Sequence, residues 1–225
     1  KGVLVNHFTG YAREMKQTLD RLPFDRIEGL VSQLHRARLD GKQIFVVGNG
    51  GSASTATHLA CDLGKNTVSA HMPRFRVMAL TDNMAVFSAL ANDLGYENVF
   101  AEQLANFIQM GDVVIAISAS GNSANVLKAV ELAKRHNALT VGWSGYDGGR
   151  LASLVDLPIV VPNQCIEQIE DVHLMLAHMV TVAVRQAAEE TVPAPRQASA
   201  HRPRQMNGHS ARPAQASAAA VERAG

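Results

Sequence analysis

Five short apolar runs, separated by segments of helical periodicity, constrain the fold of this chain more than any other feature. The runs cover 43–48, 75–80, 112–118, 138–144 and 156–161. The segments with helical spacing cover about 52–64, 84–106, 122–136 and 146–153. Strands that alternate with helices predict an α/β fold, and runs rich in Val and Ile are typical of a parallel sheet buried on both faces. We therefore expect a doubly wound, five-stranded parallel sheet.

Further helices are predicted on both sides of this region. Residues 1–40 contain two stretches of helical spacing, at 5–21 and 24–40, and each leaves an apolar face to be covered. A long C-terminal helix from about Cys165 completes a sheet domain over 41–190. Residues 191–225 hold four of the eight prolines and few large apolar side chains, which predicts a disordered Ala/Pro/Arg-rich tail.

The charge of the chain excludes some classes of partner. The net charge is +1, and five Arg with one Glu in the tail leave residues 1–190 at about −3, which argues against nucleic acid as a ligand. The sequence has no run of 18 apolar residues, so we expect no membrane span. Cys61 and Cys165 form no spacing motif, so we predict reduced core thiols and a cytoplasmic protein.

The stretch "IFVVGNGGSAST", residues 44–55, reads as a buried strand that ends in a glycine loop before a helix. Gly48, Gly50 and Ala53 fit a relaxed dinucleotide-binding pattern, but no acid follows about 20 residues later to hold a ribose. A triphosphate loop would need G-K-[ST], which is absent. The third interpretation is a smaller phosphorylated ligand, which would face the backbone N–H groups at the N-terminus of the following helix. Its predicted contacts are Asn49, Gly50, Gly51 and Ser52.

A second loop, "ISASGNSANV" at 117–126, also follows a buried strand and begins a helix. Its three hydroxyls around a helix N-terminus predict a neutral nest for a phosphomonoester. The alternative is simple N-capping, which needs one hydroxyl rather than three. The predicted contacts are Ser118, Ala119, Ser120 and Ser123.

The motifs "GNGGSA" and "SASGNSANV", with "NDLGY" at 92–96 between them, resemble the sugar isomerase (SIS) domain. Over residues 5–188 the chain is similar to the phosphoheptose isomerases, which interconvert sedoheptulose 7-phosphate and a heptose phosphate. The resemblance implies a homotetramer with sites at subunit boundaries. It also implies that Asn92 and Asp93 contact the sugar chain. The two predicted helices of residues 1–40, each with an apolar face to cover, are then interpreted as the tetramer's N-terminal oligomerisation helices.

Two helices carry candidate chemical groups. His58 and Asp62 are spaced i,i+4 and share one helix face, which suits a shared metal, a carboxylate that orients an imidazole, or a plain surface pair. The last helix is either part of a site or simply amphipathic. Its polar candidates are Glu167, Glu170, Asp171, His173 and His178. Its predicted core residues are Leu174, Met175, Leu176 and Met179.

The resemblance implies a zinc ion held by both of these helices. The implied ligands are His58, Asp62 where the family has Glu, Glu170 where it has Gln, and His178. Asp62 and His178 would also serve as base and acid. The family's Arg, three to four residues past its Glu, is absent here, and Lys65 is the nearest cation.

Helix geometry limits that ligand set. Glu170 and His178 are eight residues apart, which on one helix means about 12 Å of rise and about 80° of turn. One straight helix does not readily present both to one metal, so we expect different chains of the tetramer to supply them.

The predicted activity is a metal-assisted aldose–ketose isomerisation of a ketose or heptose phosphate through an enediol. Because Asp62 and Glu170 depart from the family's ligands, two alternatives stay open. One is a non-catalytic SIS tetramer that binds a replication-initiator protein, and the other is a sensor that binds a sugar phosphate without turnover.

Overall fold

The computed structural model describes residues 2–190, and in this part of the chain eight α-helices surround one five-stranded parallel sheet. The strands are β1 (Gln43–Gly48), β2 (Arg76–Ala79), β3 (Val113–Ile117), β4 (Leu139–Ser144) and β5 (Leu157–Val160). The helices are α1 (Gly2–Leu19), α2 (Phe24–Leu39), α3 (Gly51–Lys65), α4 (Met84–Leu94), α5 (Val99–Ala105), α6 (Ala124–Arg135), α7 (Gly149–Leu154) and α8 (Ile166–Glu190). The predicted tail at 191–225 lies outside the described residues.

The strand order is β2–β1–β3–β4–β5, which confirms the predicted α/β fold. From β1 the chain moves to one side of the sheet for β2 and then to the other side for β3. In open α/β sheets, ligands bind at the carboxyl ends of the strands where this reversal occurs. The crevice between the ends of β1 and β3 is therefore the expected ligand position.

Alternate residues of each central strand enter two separate cores, as a sheet covered on both faces requires. Ile44 and Val46 of β1 pack with α2, α3 and α8 on one face, against which α1 also packs. Phe45 and Val47 pack with α5, α6 and α7 on the other, against which α4 also packs. All four β1 side chains are fully buried, which explains the continuous apolar run in the sequence.

The packing of α3 against α8 positions the side chains discussed below. Leu59 and Leu63 of α3 and Leu176 and Val180 of α8 are fully buried in the same core. The polar faces of the two helices lie at the edge of this contact.

The predicted helix over 84–106 is wrong as a single element. It divides into α4, a 3₁₀ turn at Tyr96–Asn98 and α5. The break falls at Gly95, whose φ of +88° is accessible to glycine but not to a helix.

Two predictions about buried side chains are also wrong. Cys61 is exposed and Cys165 is half-buried beside the Glu167 carboxylate, so they are not core thiols. Leu174 and Met175 are each 37% exposed, because they face away from the sheet that Leu176 covers. No helix within residues 2–190 combines the length and apolar character needed to cross a membrane.

His173 of α8 is buried and uncharged in this fold. It is 1% exposed, its ring centre lies 6.2 Å from that of Trp143, and its Nε2 donates to the Ser144 carbonyl oxygen at 3.3 Å. Its Nδ1 has no hydrogen-bond partner among the described residues. Burial lowers the pKa of His173 to about 4, although the hydrogen bond to Ser144 opposes this shift.

We predict that His173 makes the fold sensitive to acid. Because the folded-state pKa lies below the unfolded value, its contribution is fully present above about pH 6.5 and is lost as pH falls toward 4. Relative to His173→Gln, the wild-type free energy of unfolding should fall by about 2 kcal/mol between pH 7 and pH 5, measured by urea denaturation. The exposed His136→Gln is the matched control, and equal pH slopes in the wild type and His173→Gln would contradict the prediction.

Candidate active site

The glycine loop, residues 49–50, joins the end of β1 to the start of α3 at the carboxyl edge of the sheet. Gly48 allows the first turn of α3 to approach the strand, since a Cβ there would lie 2.6 Å from the Ser52 carbonyl oxygen. Ser52 is buried in this turn. The loop thus brings a helix N-terminus, which favours anions and oxyanions, to the edge where ligands are expected.

The serine loop, residues 118–123, joins β3 to α6. The Ser118 and Ser123 hydroxyls lie 3.0 Å apart, and the Ser120 hydroxyl accepts from the Asn122 backbone N–H at 3.2 Å. Ser123 is the N-cap residue of α6, yet its side chain makes no capping hydrogen bond within the described structure. Simple capping therefore does not account for the Ser123 hydroxyl.

Gly121 fixes the shape of the serine loop. Its φ is +65°, and a Cβ there would lie 2.1 Å from the Gly148 carbonyl oxygen. The Asn122 side chain completes the turn, accepting from the Arg150 backbone N–H at 3.1 Å and donating to the Ser120 carbonyl at 2.9 Å. The loop is held by the start of α7 and not by the serine hydroxyls alone.

The glycine loop and the serine loop leave the sheet side by side. Gly48 of β1 pairs with Ile117 of β3 in the parallel register, so the next residue of each strand begins a loop at the same height. Asn49 and Asn125 then exchange amide hydrogen bonds at 2.9 and 2.8 Å. The Tyr96 hydroxyl donates to Asn49 Oδ1 at 2.9 Å. These bonds join both loops to the segment that follows α4.

Hydrogen bonds therefore fix Asn49 between the two loops, whereas Asn92 and Asp93, the predicted sugar contacts, have no such bonds to the loops within the described residues. Asn92 and Asp93 are exposed at the end of α4, where the Asn92 amide donates to the Asp93 carboxylate at 2.7 Å. No hydrogen bond from either reaches the two loops within the described residues, and their contact with sugar stays a prediction. The sequence analysis missed Tyr96 and Asn125, although both stand inside the motifs quoted there.

Three side chains from α3 and α8 form a candidate metal group: His58, Asp62 and His178. Their ligand atoms lie within 4.8 Å of one another. The two histidine Nε2 atoms are 2.9 Å apart, and Asp62 Oδ2 lies 3.3 Å from His58 Nε2 and 3.8 Å from His178 Nε2. Asp62 is 8% exposed, whereas both histidines reach solvent. The group thus has one open side.

The donors of this group fit zinc. Two imidazole nitrogens and a carboxylate oxygen are a set that catalytic zinc sites use, with a further position left for water or substrate. Tetrahedral zinc at about 2.0–2.1 Å from each ligand separates those ligands by roughly 3.3 Å. The observed separations of 2.9, 3.3 and 3.8 Å bracket that value. All three side chains belong to one chain.

Asp62 uses its two oxygens differently. Oδ2 faces the histidines, while Oδ1 accepts a hydrogen bond from the Asn66 amide at 2.7 Å. Lys65, the cation that the resemblance brought forward, is exposed in the last turn of α3. The hydrogen-bond donor to Asp62 Oδ1 is thus Asn66, and not Lys65. The sequence analysis did not identify Asn66.

Glu170 does not join the group of His58, Asp62 and His178. Its carboxylate lies over Gly51, where a Cβ would be 2.6 Å from Glu170 Oε2. It therefore lies at the N-terminus of α3, about two helical turns from the level of His178. This separation agrees with the helix geometry, and the role of Glu170 as a metal ligand, from its own chain or another, stays a prediction.

Comparisons with known proteins identify the family of this chain. A family model described as the SIS domain matches residues 7–145. The phosphoheptose isomerase of Rhodospirillum rubrum is 38% identical over 159 residues, covering 71% of this chain and 82% of that protein. The phosphoheptose isomerase of Nitratiruptor sp. is 41% identical over 138 residues, covering 61% and 73%.

Solved structures give the same result for the fold. The phosphoheptose isomerase from Neisseria gonorrhoeae matches with a TM-score of 0.74 at 27% identity, covering 82% of this chain and 98% of that one. The sequence relatives are similar over most of their length, and the SIS model matches more than half of the chain. The chain therefore belongs to the phosphoheptose isomerase family of SIS domain proteins.

Proposed function

We propose that this chain is a metal-assisted aldose–ketose isomerase that interconverts sedoheptulose 7-phosphate and a heptose 7-phosphate. The observation that carries the proposal is the convergence of His58, Asp62 and His178 on one open-sided group, which includes two residues of the helix that the glycine loop begins. A carboxylate and two imidazoles in contact can move protons and can hold a metal ion, and an aldose–ketose isomerase uses both of these abilities.

The proposed phosphate site is the serine loop. The hydroxyls of Ser118, Ser120 and Ser123 and the N-terminal N–H groups of α6 offer hydrogen bonds to a phosphomonoester. Ser52 and the glycine loop lie at the neighbouring strand end. The Glu170 carboxylate over Gly51 disfavours an anion there, so the glycine loop is assigned to hydroxyl groups of the sugar.

The proposed proton transfers use Asp62 and His178. Asp62 takes a proton from C1 of the ketose and returns it to C2, while His178 donates a proton to O2 and accepts one from O1. The reaction therefore passes through an enediol, and each side chain ends in the protonation state in which it began. His58, Asp62 and His178 would hold a zinc ion, which would polarise the carbonyl and stabilise the charge that develops on the oxygens.

The proposal includes a homotetramer in the cytoplasm, with sites completed at subunit boundaries. Its support is the number of large apolar side chains exposed on single chains. Phe8 of α1 is 67% exposed and Met84 of α4 is 63% exposed, and contacts between subunits would cover such side chains.

We predict one zinc ion per chain after dialysis against zinc, measured by mass spectrometry of the protein. His58→Ala and His178→Ala should each lose most of this zinc, because two protein ligands hold the ion far less tightly than three. His136→Ala, an exposed histidine outside the group, is the control. Retention of full zinc by both ligand variants would contradict the assignment.

We predict that the zinc-loaded protein converts sedoheptulose 7-phosphate to an aldose, which proton NMR detects directly. Asp62→Asn should lower kcat by at least about 100-fold, since the amide cannot accept the carbon-bound proton. The exposed Asp25→Asn should behave as wild type. No aldose from any of several ketose phosphates would refute the enzyme and leave the sensor or partner-binding alternatives.

We predict that the double change Ser118→Ala and Ser123→Ala raises KM by about 10- to 100-fold, because hydrogen bonds to a charged phosphate are lost. The effect on kcat should be smaller, as the loop does not touch the reacting carbons. Steady-state kinetics test this, with Ser153→Ala of α7 as the control. An unchanged KM would place the phosphate elsewhere.

A further inference from the structure

Asn66 lies one helical turn beyond Asp62, at the C-cap of α3. Its backbone N–H donates to the Asp62 carbonyl oxygen at 2.8 Å, which ends the helix in the ordinary way. Its side chain makes a separate contact, because the amide Nδ2 donates to Asp62 Oδ1 at 2.7 Å. A capping role alone does not require this second hydrogen bond.

The hydrogen bond from Asn66 divides the Asp62 carboxylate into two unlike oxygens. The terminal torsion of an aspartate is broad and roughly two-fold, so a carboxylate without such a bond rotates easily. With Oδ1 tied to Asn66, Oδ2 faces His58 Nε2 at 3.3 Å and His178 Nε2 at 3.8 Å. The amide thus fixes which oxygen faces the two histidines and at what angle.

Asn66 is itself held by a buried anchor from α2. The next residue, Thr67, is 2% exposed and its carbonyl accepts from Arg38 at 2.9 Å. Arg38 is 1% exposed and also donates to the Pro73 carbonyl at 2.6 Å. Its guanidinium lies 4.9 Å from the centre of the Phe75 ring. These contacts fix the chain that leaves α3, and so limit the positions open to the Asn66 amide.

We infer that Asn66 is a positioning residue, which orients the Asp62 carboxylate for metal binding and for proton transfer. The inference rests on the proposed function for its kinetic part, but its metal-binding part does not depend on the substrate. Hydrogen bonds to a ligand carboxylate commonly change metal affinity by about 10- to 100-fold. The neighbouring Lys65 has no such part, since it is exposed and Asn66 occupies the carboxylate.

The test compares the full-length wild type with Asn66→Ala, Asn66→Asp and the control Lys65→Ala. Zinc chloride is titrated against a chromophoric chelator, and the melting temperature of each metal-free protein is measured. We expect Asn66→Ala to weaken zinc binding by about 10- to 100-fold with an unchanged metal-free melting temperature. Asn66→Asp should weaken it at least as much, because it faces the Asp62 carboxylate with a like charge. Lys65→Ala should bind as wild type.

Kinetics on sedoheptulose 7-phosphate at saturating zinc give a second measurement. Asn66→Ala should lower kcat while KM stays within about twofold, and Asn66→Gln, which keeps the amide donor, should recover part of the loss. Wild-type zinc affinity in Asn66→Ala overturns the inference, as does an equal loss in Lys65→Ala. An inactive wild type refutes the proposed function alone, since the zinc titration still decides the role of Asn66.

Discussion

The packing of α3 against α8 is the interaction on which the candidate site depends. Both helices start at the carboxyl edge of the sheet, where the Glu170 carboxylate lies over Gly51, and both pack on the same face. Two turns further along, His178 comes beside His58 and Asp62. His58 and His178, 120 positions apart along the chain, therefore meet because Leu59 and Leu176 are buried in one core. A change that shifts this core contact alters the histidine separation directly.

The glycine loop and the serine loop depend on a different constraint, the parallel register of β1 and β3. The pairing of Gly48 with Ile117 makes both strands end together, and the Asn49–Asn125 amide pair then ties one loop to the other. The glycine loop connects the two regions, because it follows β1 at the edge of the sheet and leads directly into α3. The fold so places the serine loop at the carboxyl edge of the sheet and the group of His58, Asp62 and His178 about two helical turns along α3 and α8.

The sequence predicts much of this arrangement, and the exceptions have physical causes. β1 is predicted to the residue because an uninterrupted apolar run bounded by Gly48 leaves little choice. The break in the helix predicted over 84–106 is not foreseen, because the sequence does not specify whether the φ of Gly95 is negative or, as here, +88°. His58 and Asp62 are predicted as a pair by their spacing, but the contact with Asn66 depends on a side-chain torsion that no spacing encodes. The exposure of Cys61 likewise depends on which helix face the sheet covers.

The most direct test is a crystal structure of the full chain with zinc and sedoheptulose 7-phosphate, recorded at the zinc absorption edge. The account predicts an anomalous peak bound by Nε2 of His58, Nε2 of His178 and one oxygen of Asp62 from a single chain. It also predicts the sugar's phosphate against residues 118–123, with C1 and C2 near Asp62. Zinc on other side chains, or a sugar bound away from the edge where β1 and β3 end, would contradict it.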